Sequence, residues 1–260
     1  MTGVFWGLLL SSLALSVFTL GVWGRHIGES AARYRVSWQP DGRAFSIWWL
    51  LYTTTLAAAI VGLALHAAVD QDALLLWSGT WVLTAIWVIL FDNQRQLVLA
   101  ALVLLAAFGT SLCALLLQQA WPSHSGEQIL LFAPLSLLSG WLLVASSVGV
   151  GSALTCARPQ FDEVAAQREV DLRIYEDATR DAIFARRKEA TTVQVVVVVV
   201  LALVGGCLAF AVPDPVFVSP LLWAVVNQRG FPRSLSLWLA FAILVAGGVV
   251  AAVRIFVWEF

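Results

Sequence analysis

The chain has 260 residues, 60% of them hydrophobic and only 12% charged, with a formal net charge of −1. A soluble domain carries roughly 25% charged residues, so half that fraction among long apolar runs describes an integral membrane protein. The charge balance points to no nucleic-acid partner, and three cysteines far apart, with no C-x-x-C pair, suggest neither a disulfide framework nor a zinc site.

A helix needs about 20 apolar residues to cross about 30 Å of hydrocarbon. The first such run covers residues 4–24; no basic residue precedes it and it is too long for a signal peptide, so it reads as a retained span. Further runs follow at 45–69, 74–91, 97–121, 129–155, 192–212, 214–228 and 234–256. An open strand in lipid leaves its backbone unsatisfied, so all of them are expected to be helices. The expected fold is an all-α polytopic bundle of about eight transmembrane helices. The third and fourth runs meet at the short polar "DNQRQ" (Asp92 to Gln96) and form a helical hairpin. The seventh is the weakest, being short, flanked at its start by Pro213 and Pro215 and interrupted by Pro220, which also fits a re-entrant or surface segment.

Lysine and arginine set the orientation. Fourteen basic residues fall in the loops after the first, third, fifth and seventh runs and none in the loops after the second, fourth and sixth. That alternation places both termini outside and the odd-numbered loops inside. Arg254, near the end of the eighth run, is the exception and is expected to snorkel to the interface.

Residues 156–190 stand apart, with seven basic and eight acidic side chains. Opposite charges such as Glu169 and Arg173 are spaced for a solvated helix facing the inside. This insert divides the chain into a membrane bundle at 1–155, the insert at 156–190 and three further membrane helices at 191–260. It is also where a protein partner would dock, which supports an alternative role as a structural or accessory subunit of a larger membrane complex.

Thirteen tryptophans are distributed along these runs. Trp6, Trp23, Trp121 and Trp258 lie near run ends, where indoles form an interfacial belt. Trp141 and Trp223 fall near mid-run; Trp77 and Trp81 share one helical face, as do Trp48 and Tyr52. Helix packing explains any one of them, but the set is better explained by a pocket with flat aromatic walls, suited to a planar apolar ligand. Ionisable residues that would mark a proton or ion path are nearly absent; His66, near the end of the second run, fits a hydrogen-bonded structural residue. H-E-x-x-H, G-x-S-x-G and G-x-x-x-x-G-K motifs are all missing. The side chains point to binding, with no acid–base pair for turnover.

The stretch "WQPDGRAFSIWWLLY" (residues 38–52) resembles the entry to the second helix of the TspO/MBR family, the tryptophan-rich sensory or translocator proteins, where the pattern is W-x-P-P-x-W-x-F followed by W and L-Y. It looks closer to a larger eight-helix branch, with Pro40, Gly42, Ala44, Phe45, Ser46, Ile47, Trp48, Leu50 and Tyr52 fitting. "APLSLLSGWLLVASSVGVG" is similar to the family's P-F-S-L-Y-L-G-W-I-x-V-A, and "TAIW" to N-I-A-W, keeping Trp87. Asp41, Arg43 and Thr84 depart from the pattern.

The resemblance covers 1–155 well and 192–258 loosely, and implies a five-helix core plus three C-terminal helices, with a pocket closed by the loop after the first helix. It implies ligand-binding roles for Trp38, Pro40, Phe45, Trp48, Tyr52, Trp87 and Trp141, to which helical spacing adds Trp81, in a cavity expected between the first, second, third and fifth helices. The family binds porphyrins and sterols. The implied activity is therefore binding of a planar hydrophobic ligand (tetrapyrrole or sterol-like) with a sensory or transport role. No obligatory cofactor is implied; a bound porphyrin or lipid is the expected occupant, and the lipid bilayer the expected surround.

Overall fold

A computed structural model describes residues 2–24, 27, 30–31, 36, 39–40, 42–67, 69–92, 96–119, 126–156, 204, 215–227 and 245. Trp38, Trp121, Trp258, nearly all of the 156–190 insert and all but single residues of the runs 192–212 and 234–256 lie outside the described residues. The elements are α1 (Thr2–Trp23), a 3-10 turn (Gly42–Ser46), α2 (Ile47–Ala64), α3 (Gln71–Asp92), α4 (Leu97–Gln119), α5 (Gly126–Cys156) and α6 (Pro215–Val226).

The first five α-helices are long and apolar enough to cross a membrane. α6, in the seventh apolar run, has 12 residues; at 1.5 Å per residue it rises about 18 Å, short of the hydrocarbon thickness. Eight crossings are thus expected from the sequence, while five are found among the described residues.

Both faces of each spanning helix are apolar, so simple amphipathicity does not pick the buried side. In α2 the buried positions are Ile47, Leu51, Tyr52, Thr55, Ala58, Ala59 and Gly62, while Trp49, Leu50, Leu56, Ile60 and Leu63 are exposed. In the second half of α2 the small and hydroxylated Thr55, Ala58, Ala59 and Gly62 face the protein while Leu56, Ile60 and Leu63 face outward, because helices in a membrane associate by close packing and not by escape from water. Hydroxyls inside the bundle bond back to their own helix: Ser78 to the Leu74 carbonyl, Thr84 to that of Thr80 and Ser139 to that of Leu135.

α1 packs on α2 and α3, α3 on α4, α4 on α5, and α5 on α2, closing a ring in the order α1–α2–α5–α4–α3. Thr80 and Thr110 hydroxyls, 3.1 Å apart, tie α3 to α4. The α1–α2 seam depends on Gly62, whose missing Cβ is replaced by the Trp6 indole. Trp6 is therefore fully buried and not part of an interfacial belt; Trp23 is 39% exposed. α6 lies outside the ring, against α5. Pro220 removes the backbone donor that would reach the Val216 carbonyl, and the Ser219 hydroxyl bonds that carbonyl instead at 2.8 Å.

α2 ends in a Schellman turn: Ala67 N–H reaches the Gly62 carbonyl at 3.0 Å and His66 N–H the Leu63 carbonyl at 3.3 Å. His66 occupies the left-handed position with φ 48° and its side chain is exposed, so its structural part is played by its backbone. Glycine has no Cβ penalty there. His66→Gly is expected to stabilise the bundle by about 1 kcal/mol, read as a raised unfolding midpoint in detergent; an unchanged or lower midpoint would contradict this account of the turn. α3 then starts on Asp70, whose carboxylate accepts from Ala73 N–H at 2.9 Å.

Candidate functional site

The 3-10 turn sets Phe45 at the mouth of the ring, and α2 continues with Trp48 and Tyr52 one turn apart. α3 contributes Trp81, Trp87 and Phe91, and α5 contributes Trp141. Trp48 is the hub. It stacks on Trp87 with centroids 5.9 Å apart and planes at 18°, meets Trp141 edge-on at 6.4 Å and 90°, and lies 6.1 Å from Tyr52. Trp141 also takes Phe45 edge-on at 6.0 Å, and Trp87 stacks on Phe91 at 5.4 Å. One level further into the ring, Tyr52 stacks on Trp81 at 4.9 Å and its hydroxyl lies 3.2 Å from that of Ser16 on α1. Each such ring pair contributes about 0.5–1.5 kcal/mol beyond its burial.

These rings border a hollow of about 30 Å³ whose wall includes Gln39, Pro40, Phe45, Trp48, Trp87, Phe91, Leu104, Trp141, Gly149 and Ser152. That volume holds a water or two. Of the eight residues singled out from the sequence, Pro40, Phe45, Trp48, Trp87 and Trp141 line it. Tyr52 and Trp81 form the tier below, and Trp38 lies outside the described residues.

The cavity departs from expectation in its walls: α4 supplies Leu104, and α1 itself supplies nothing, although Ile27 and Ala31 beyond its end do. Phe91, four residues after Trp87, carried a helical-spacing signal that the sequence reading did not use. Leu104 carried none. Gly149 lets α5 approach α4, since a Cβ there would stand 3.1 Å from Leu104 Cδ1.

The described lining has rings and hydrogen-bonding groups but no ionisable side chain. Trp87 Nε1, Trp141 Nε1 and Gln39 Oε1 are buried without a hydrogen-bond partner. Such groups cost about 1–3 kcal/mol each. Trp6, Trp77 and Trp81 share the condition elsewhere in the ring; Trp87, Trp141 and Gln39 differ in belonging to residues that line the hollow. The arrangement offers flat ring faces and unpartnered polar groups, with no acid–base pair among the described lining residues. Among the described residues no group of His, Cys, Asp and Glu could hold a metal ion.

A larger groove of about 590 Å³ runs outside the ring between α2, α5 and the start of α6, lined by aliphatic residues such as Leu50, Val61, Leu131 and Val216. None of the singled-out residues lines it, and it carries no ring for stacking. The aromatic hollow is therefore the better candidate despite its size.

Fold and hollow together define an integral, multi-pass helical membrane protein whose spans enclose a tryptophan-rich centre. The chain belongs to the TSPO-like protein family, whose model matches residues 4–165. The match takes in α1–α5 and the hollow, and ends before α6. No curated protein and no solved structure matches the chain.

Proposed function

We propose that the chain is a membrane-embedded binding protein for a planar, hydrophobic ligand of the tetrapyrrole or sterol-like class, with a sensory or transport role. The observation that carries this reading is the convergence of Phe45, Trp48, Trp87, Phe91 and Trp141, from a 3-10 turn and three helices, on one hollow. Ligand pockets run to about 300–1,000 Å³, so a guest enters by parting the rings, exchanging ring–ring stacking for ring–ligand stacking. Indole N–H groups freed from dry burial would meet acceptors on the guest. With the orientation read from the arginines, the mouth beside Pro40 and Phe45 opens toward the inside.

Titrating the purified protein in detergent with protoporphyrin, and separately with cholesterol, tests this. Saturable quenching of tryptophan fluorescence is expected from at least one of them. It should be lost in a Trp48→Ala/Trp141→Ala double variant that keeps its helical circular dichroism. Non-saturable quenching from both would remove the proposal.

A further inference from the structure

α6 lies beyond the family-matched residues, yet it reaches the hollow's wall at two points. Trp223 Nε1 donates to the Ala44 carbonyl at 3.2 Å, across 179 positions of sequence. The next residue after Ala44 is Phe45. The Phe217 carbonyl oxygen sits over Gly140 where a Cβ would stand, with Pro220 Cδ 3.3 Å from the same point. The next residue after Gly140 is Trp141. Phe45 and Trp141 are each other's edge-to-face partners, with planes at 87°. One short helix thus grips the backbone immediately before both rings of a contact that closes the hollow.

The two grips differ in kind. Phe217 is fully buried and its carbonyl meets a glycine backbone, so that contact is fixed. Trp223 is 42% exposed, and the one hydrogen bond of its indole is at the rim, on the 3-10 turn that carries Phe45. A bond of that kind, worth a factor of about five in an equilibrium, is weak enough to open and strong enough to hold.

We infer that α6 is a positioning element of the aromatic hollow: fixed to α5 at Gly140, it holds the Phe45 turn against Trp141 through Trp223, and release of that hold admits the guest. The entry step rests on the binding role proposed above; the positioning does not.

Trp223→Phe keeps the ring and removes the donor. Trp49→Phe, at a residue 72% exposed on the outer face of α2, controls for the loss of one indole. Both are compared with the parent chain after fluorotryptophan labelling, with the Trp141 fluorine resonance assigned from a Trp141→Phe sample. The expected result is a displaced Trp141 resonance in Trp223→Phe alone, and protoporphyrin association about fivefold faster than in Trp49→Phe. An undisplaced resonance, or equal association rates for bound porphyrin, overturns the inference. If neither protoporphyrin nor cholesterol binds the parent, the binding role fails, while the Trp141 resonance still decides the positioning.

Discussion

Trp48→Ala is expected to lower the stability of the bundle by about 2–3 kcal/mol, below the range of about 3–5 kcal/mol for emptying a fully buried aromatic site, because Trp48 is half-buried. Trp48 touches Trp87, Trp141 and Tyr52, so its loss removes three ring contacts at once and leaves Trp87 and Trp141 facing a void. The neighbouring Trp49 is the control that sequence composition cannot distinguish from it. Trp49 is 72% exposed on the outer face of α2, and Trp49→Ala should change stability by no more than about 0.5 kcal/mol. Equilibrium unfolding of both variants in mixed micelles gives the comparison. Equal losses at the two positions would mean that the aromatic cluster does not bear on the fold as described.

The second large effect is a reversal of sign between two Gly→Ala changes in helices. At Gly79, in α3, a Cβ meets nothing within 4 Å. Alanine should stabilise that helix by up to about 1 kcal/mol, the ordinary helix-propensity difference. At Gly140 the same methyl group collides with the Phe217 carbonyl, which is backbone and has no rotamer to give. Gly140→Ala must push α6 away from α5, at a cost of about 1–3 kcal/mol despite the better helix former. Thermal unfolding read side by side should show one midpoint rising and the other falling. A rise at both positions would mean that α6 does not lie on α5 as closely as described.

The five long spans were legible because lipid leaves the chain no alternative: an apolar run of sufficient length satisfies its own backbone only as a helix. The runs read at 74–91 and 97–121 correspond to α3 at 71–92 and α4 at 97–119. The motif containing Pro40, Phe45 and Trp48 was legible as a chemical pattern, and the family match to residues 4–165 agrees with it. Helical spacing also placed Trp77 and Trp81 on one face of α3. It did not separate their neighbours, for Trp77 packs on Phe132 and Trp81 on Tyr52. Trp6, near a span end, read as an interfacial residue until Gly62 on another helix was seen to receive it.

Run length, the low share of charge, and the Pro-Gly entry to α2 with its tryptophans are local properties, and through them the sequence by itself determined a helical membrane bundle and its family. Which helix stands beside which is a property of pairs distant along the chain. Only the tertiary structure decided that α4 helps wall the hollow, that the rings nearly fill it, and that Trp223 answers to Ala44. The physical reason is that every span is apolar on all sides. Nothing in such a face names its partner, and the choice falls to small-residue packing and single hydrogen bonds that exist only once two helices meet.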